Sequence, residues 1–198
     1  MKILGLLGGV ASGKSLVARQ LAELGAVVLD ADRAGHEALR LPGTEAAARR
    51  RWGDAVFGPD GHIDRSRLAK IVFAPPPDGP KERKYLEMLT HPEIGRRLAA
   101  QAGAIKAESP LAVLDAALIF EAGWNKLCDC YAFVDVPRDV RLARALHRGW
   151  TEGDFAAREA AQDSLDSKRT RADLIIDNSG SVEHTGAQVQ RLWQFLVG

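Results

Sequence analysis

Cysteine, net charge and long apolar runs are all scarce in this sequence. Only Cys128 and Cys130 are cysteines among its 198 residues. Residues two apart rarely reach disulfide geometry, and no second pair completes a zinc site. Two reduced, partly buried thiols in a reducing cytosol are expected, and with them a cytoplasmic location. Lysine and arginine number 27 against 26 acids, a formal net charge of +1. No global field therefore draws the chain to nucleic acid or to a membrane surface. No apolar stretch approaches the ~20 residues that span a bilayer, and the run Leu111 to Phe120 is broken by Asp115. Internal repeats and low-complexity tracts are missing. The histidines show no metal-ligand spacing.

What is there starts at the N-terminus. The apolar run Ile3 to Leu7 leads into Gly8, Gly9, Val10, Ala11, Ser12, Gly13, Lys14 and Ser15. Glycine, four residues, glycine, lysine and a hydroxyl is the phosphate-binding loop pattern. The glycines let the chain close around an anion, and successive amides point inward as a nest. The following helix aims its positive end at the same spot. Lys14 is expected to reach the β- and γ-phosphates, and the Ser15 hydroxyl to ligate Mg²⁺. A secretory signal is the competing reading of this run, but its cleavage point would fall inside the loop.

Further along, short apolar segments alternate with helical periodicity. Strands are expected at 3–7, 26–29, 111–115, 131–136 and 174–177. Helices are expected at 14–24, 138–148, 152–163 and 182–196. Between them, 31–107 reads as helices at 34–39, 44–52, 64–73, 81–89 and 93–106, divided by Pro/Gly signals and by Pro92. Five apolar strands among helices make an α/β fold with an open parallel sheet in one domain.

Ligands of such sheets lie beyond the carboxyl ends of the strands. Asp30 and Asp32 follow the second strand, where one could hold an acceptor hydroxyl or take its proton. Asp115 ends the third strand, a usual place for a second magnesium anchor. Arg138, Arg141, Arg144 and Arg148 recur along one side of a helix. Arg144 and Arg148 are read as stabilisers of transferring phosphoryl charge, and Arg138 as a solvated surface charge. His91, before Pro92, reads as a structural histidine at a helix start, with a substrate contact as the other reading. The tryptophans are scattered and read as core or lid anchors.

No Asn-Lys-x-Asp guanine-reading element occurs, which argues against a GTPase. No Leu-Ser-Gly-Gly-Gln stretch occurs, which argues against a transporter ATPase. A small acceptor-hydroxyl kinase leads, ahead of a nucleotide-switch module.

Several further stretches, taken with the loop, carry a closer resemblance. They are Asp30-Ala31-Asp32 with His36, Pro42-Gly43, Phe57-Gly58, Ile63-Asp64-Arg65, His91-Pro92, Leu118 to Glu121, Arg144 to Arg148, Lys168, and Asp177 to Gly180. Together they resemble the dephospho-CoA kinase family over nearly the full length. Departures are Ala11 for a usual glycine, Leu16 for a common threonine, Ala116-Ala117 for Ile-Pro, Arg141 for glutamine, and Gly149-Trp150 for an acidic-glycine pair.

The resemblance implies a P-loop NTPase fold of the nucleotide-kinase-like kind. Its core would be near 1–30, 91–140 and 171–198. A helical substrate-binding insertion would lie near 31–90, and a helical lid near 141–170. It implies that ATP, with Mg²⁺ on Ser15 and Asp115, phosphorylates the ribose 3′-hydroxyl of dephospho-CoA. Gly8 to Leu16 and Asn178 would bind ATP. Asp32, Arg65, His91 and Glu121 would meet the substrate, with Asp32, Lys14, Arg148 and Arg144 catalytic. A monomer or weak homo-oligomer is expected, without nucleic acid or membrane. Another small-molecule kinase on the same fold remains the alternative.

Overall fold

Near-continuous apolar runs in five short segments build a parallel sheet whose central strands are buried on both faces. The computed structural model describes residues 1–106 and 108–198. In chain order the elements are β1 (Lys2–Gly8), α1 (Lys14–Glu23), β2 (Val27–Asp30), α2 (Ala31–Leu39), α3 (Pro42–Trp52), α4 (Arg65–Val72) and α5 (Asp78–Gly103). Then come β3 (Leu111–Asp115), β4 (Cys130–Asp135), α6 (Arg138–His147), α7 (Glu152–Glu159), α8 (Leu165–Thr170), β5 (Leu174–Asp177) and α9 (Val182–Val197). The strand order is β2-β3-β1-β4-β5, with every pair parallel.

One face packs Leu4, Leu6, Leu111, Val113, Val134 and Ile176 against Val17 and Leu21 of α1 and Val189 and Leu192 of α9. Each fully buried leucine there contributes roughly 2 kcal/mol. Trp193 packs at the margin of this cluster. Cys128 and Cys130 are both free and half-buried. Burial, with the neighbouring Cys130 and Asp129, pushes the Cys128 thiol up to about 12. It stays protonated at neutral pH and has no place in thiolate chemistry.

The chain divides into two compact units: Met1–Ala31 with Ala99–Gly198, and Asp32–Leu98. The second is all-helical apart from an isolated bridge between Phe57 and Ile63. Ala48, Val56 and Phe57 form one small buried cluster in it, rimmed by Trp52, Ile63 and Ile71. Trp52 ties α3 to α5 by donating to Glu82 at 2.8 Å. Asp64 caps α4, accepting from the Ser66 and Arg67 amides at 2.8 and 3.1 Å.

Two expected boundaries are corrected. Pro92 does not separate two helices: α5 runs through it for 26 residues, so His91 lies inside a helix and not at its start. A proline removes one rung of the ladder, at about 3 kcal/mol. Packing on α2 outweighs that loss. Ile94 and Leu98 are buried, and Arg97 pairs with Glu37 at 2.7 Å. The second unit consequently ends inside α5, at Leu98. The helix expected at 152–163 ends at Glu159, and a separate helix follows. Ser164 starts it by accepting from the Ser167 amide at 3.2 Å.

Candidate active site

β1 is the central strand, and it ends at Gly8 with β3 on one side and β4 on the other. The order of connections reverses around it, which opens a crevice beyond the strand ends. The loop turns there. Ser12 donates to the Gly9 carbonyl at 3.2 Å, and Leu16 and Val17 donate to the Gly13 carbonyl at 2.9 and 3.3 Å. Lys14 and Ser15 form the first turn of α1, whose leading amides have no acceptor within the helix. The Lys14 ammonium arches back across the loop, 3.4 and 3.3 Å from the Gly8 and Gly9 carbonyls.

Ala11 has φ 58°. That left-handed conformation costs about 1 kcal/mol for a residue with a β-carbon. Packing offsets it: Val10 and Ala11 sit in an apolar cluster with Leu142, Ala145, Trp150 and Phe155.

The far side of the loop is pinned by Asn178, which is 2% exposed. Its Nδ2 donates to the Ser12 carbonyl at 2.8 Å, and its Oδ1 accepts from Thr185 Oγ1 at 2.8 Å. Arg144 reaches the same place, donating to the carbonyls of Ser12 at 3.4 Å and Asn178 at 2.8 Å. In a trans peptide the carbonyl and the next amide point opposite ways. Drawing the Ser12 carbonyl outward therefore turns the Gly13 amide toward the interior of the loop. Gly13, at φ 89°, lies so close to Asn178 that a β-carbon would strike its amide.

The arginine stripe splits by depth. Arg138 is exposed and pairs with Glu159 of α7 at 2.9 Å. Arg141 is buried, bonded to the Val136 and Val10 carbonyls at 3.2 and 3.3 Å and to Glu159 at 2.9 Å. Arg148 caps the C-terminus of α6 and is exposed. Burial pushes the Glu159 carboxyl up, but hydrogen bonds and charge from Arg138 and Arg141 outweigh it and hold the group below its ordinary value.

Every strand other than β1 ends in aspartate: Asp30, Asp115, Asp135 and Asp177. Asp115 stands in register with Leu6 of β1 and Asp30 of β2. Asp135 pairs with Arg169. Asp177 accepts from the Ser179 side chain and amide, at 2.6 and 2.9 Å. These bonds hold its carboxyl below the usual range.

The residues present fit a nucleotide phosphate. The Ser12 hydroxyl is buried inside this amide-lined, lysine-crossed turn without a hydrogen-bond partner. Among the described residues no group of three or more His, Cys, Asp or Glu could hold a metal unaided. Ser15 and Asp115 suit a cation that takes few protein oxygens and completes its shell with phosphates and water, as magnesium does.

A family model described as dephospho-CoA kinase matches residues 2–184. The chain belongs to the dephospho-CoA kinase family. It is 42% identical to dephospho-CoA kinase of Symbiobacterium thermophilum, an alignment covering 100% of this chain and 82% of that protein. A crystal structure from Thermus thermophilus superposes with a TM-score of 0.80 at 34% identity, covering 100% of this chain and 98% of that one. Dephospho-CoA kinase from Campylobacter jejuni shares the fold, with a TM-score of 0.71 at 24% identity over 98% and 96% of the two chains. A kinase of this family takes ATP as its phosphate donor.

The remaining residues expected from the family resemblance lie in both units. Asp32, exposed, is in the first turn of α2, and Arg65 opens α4. With His91 in α5, all three belong to the second unit. Glu121 is in the first unit and already engaged. It pairs with Lys168 at 3.3 Å and accepts from the Asp163 amide at 2.8 Å. Lys168, 2% exposed, also donates to the Ala117 carbonyl at 3.1 Å and Gln162 at 3.0 Å. Sequence reasoning missed Thr185 and the depth of Arg141. The three-residue step marked Arg141 as part of a stripe, but a stripe does not say which member turns inward. Nothing local marks Thr185, seven residues after its partner.

Proposed function

We propose that this protein transfers the γ-phosphoryl group of ATP to the ribose 3′-hydroxyl of dephospho-CoA, giving CoA and ADP, the last step of CoA synthesis. The observation that carries the reading is the phosphate loop at the central strand end, its carbonyls pinned outward, in a chain of this family. Asp32 orients the acceptor hydroxyl. As the bond from its oxygen to Pγ forms and the Pγ–Oβγ bond breaks, Asp32 takes the proton. The loop amides from Gly8 to Leu16, with Lys14, hold the β- and γ-phosphates and stabilise the charge that shifts onto the leaving oxygen. Ser15 and Asp115 are the residues that would hold magnesium. Magnesium, when bound, neutralises charge on the β- and γ-oxygens. Arg144 and Arg148 swing in with the segment near 141–170 to stabilise the transferring charge, and that segment excludes water that would otherwise hydrolyse ATP. Arg65, His91 and Glu121 contribute to the acceptor site, and Asn178 to the nucleotide site by holding the loop.

No helix among the described residues is long and apolar enough to cross a membrane. The reading carries with it a cytoplasmic enzyme acting as a monomer or weak homo-oligomer. A coupled assay for ADP release, with ATP, magnesium and a panel of nucleosides, sugars and dephospho-CoA, tests the reading. Dephospho-CoA is expected to be far the best acceptor. A better acceptor in the panel, or slow turnover with all of them, would overturn it.

A further inference from the structure

Arg141 stands where the family resemblance leads one to expect glutamine, and its guanidinium is 2% exposed. A buried charge costs several kcal/mol unless it is paired and its donors are satisfied. Here the planar fork is satisfied in three directions at once: the Val136 carbonyl after β4, the Val10 carbonyl in the loop, and the Glu159 carboxylate on α7. The Phe155 ring lies 5.5 Å from Cζ and closes the site from α7. Gly9 makes the approach possible, since a β-carbon there would lie 2.8 Å from Nη1 and 3.0 Å from Cζ.

The consequence lies in the loop peptide between Val10 and Ala11. Its carbonyl is drawn outward onto Arg141, so its amide, on Ala11, faces the opposite way, into the loop. This matches the arrangement on the other side, where Asn178 and Arg144 draw the Ser12 carbonyl outward. Ala11 sits at φ 58°, a conformation its β-carbon disfavours. Something outside the loop must hold it, and Arg141 is bonded to the preceding carbonyl. Glu159 in turn receives Arg138 at 2.9 Å, so the carboxylate holds the buried arginine from α7.

We propose that Arg141 is a positioning residue for nucleotide binding: paired with Glu159, it fixes the Val10–Ala11 peptide so that the Ala11 amide is offered to a bound phosphate. It acts through the loop backbone and touches no reacting atom. The inference rests on the phosphoryl-transfer reading above and adds that α7 and the loop respond as one body. Arg141→Gln keeps a donor for one carbonyl and loses both the charge and the reach to Glu159. Glu159→Gln leaves Arg141 in place but removes its counter-charge.

The test compares the full-length wild type, R141Q, E159Q and the double variant. The dissociation constant of a non-hydrolysable ATP analogue is measured by calorimetry, with KM for ATP and for dephospho-CoA alongside. R141Q is expected to weaken the analogue about tenfold and E159Q a few-fold, with KM for dephospho-CoA unchanged within twofold. The double variant is expected to be no weaker than R141Q, because both changes break one connection. Analogue affinity within twofold of wild type in R141Q overturns the proposal. So do effects that multiply in the double variant, or equal rises in both KM values. Should R141Q fail to fold, E159Q reads the same connection, and unchanged analogue binding there has the same force. Because analogue binding needs no acceptor, a wild type that binds it but ignores dephospho-CoA would count against the acceptor assignment alone.

Discussion

Replacing Asn178 separates the two things its side chain does. In Asn178→Ala two bonds of 2.8 Å disappear, one to the Ser12 carbonyl and one from Thr185. Neither partner is stranded. Ser12 keeps Arg144 at 3.4 Å, and the Thr185 hydroxyl can turn to the Ser181 carbonyl at 3.2 Å. The cost is therefore near the net value of two hydrogen bonds, about 2–3 kcal/mol with the small void included. In a chain of this length that lowers Tm by about 5–10 °C. Asn178→Asp has the same shape but sets a carboxylate against the Ser12 carbonyl, acceptor against acceptor, in a buried place. Its cost is larger, about 4 kcal/mol at pH 8, with Arg144 relieving only part of it. A protonated Asp at 178 regains a donor. The fold thus binds that proton more tightly than the unfolded chain does, and the deficit narrows as pH falls. Thermal unfolding of wild type, N178A and N178D at pH 8 and pH 5 measures all of this. N178D as stable as N178A at pH 8, or a deficit that does not narrow at pH 5, would refute the reasoning.

Lys14→Ala should reduce turnover about a hundredfold or more, as loss of a charge-stabilising donor does, while stability falls by less than about 1 kcal/mol because its loop contacts are long. Steady-state kinetics beside a melting curve checks the pair, and a loss under tenfold contradicts the role. Asp32→Asn should lower kcat by about 10²–10⁴-fold with KM for ATP unchanged, and unaltered turnover removes Asp32 as the base. The Glu159 carboxyl is held below its ordinary value, so its stabilisation is complete at neutral pH and is lost as pH falls through the folded-state value. Melting temperatures from pH 6 to pH 3 should show the gap between wild type and E159Q closing toward acid. A constant gap would mean that the Arg138–Glu159–Arg141 cluster is not what titrates.

The elements legible in the sequence were those whose cause is local. β3 and β5 fall at Leu111–Asp115 and Leu174–Asp177, where apolar runs end in an acid that cannot enter the sheet interior. α4 follows Asp64 because a carboxylate there satisfies two leading amides. The failures were places where a distant contact overrode a local signal. Pro92 is a helix breaker by chemistry, yet α5 passes through it because Ile94, Leu98 and Arg97 secure the helix after it and Glu82, bonded to Trp52, secures it before. For Glu121 and Asn178 the fold adds partners that no local signal announces: Lys168 for the first, and Ser12 and Thr185 for the second.

That a phosphate loop follows the first strand is written in eight consecutive residues, Gly8 to Ser15. Glycine backbone freedom, the lysine charge and a helix start at fixed spacing suffice for that. Carboxylates at the strand ends and arginines along one helix are legible in the same way, since apolar runs and helical periodicity are local. Which loop carbonyls are drawn outward, and by which partners, follows from the packing of segments far apart in the chain. Arg141 and Val10 are 131 residues apart, and Asn178 and Ser12 are 166 apart. No local spacing encodes such pairs. They arise because β4 pairs with β1 and β5 with β4, which delivers α6 and the start of α9 to the loop, where buried donors must find acceptors.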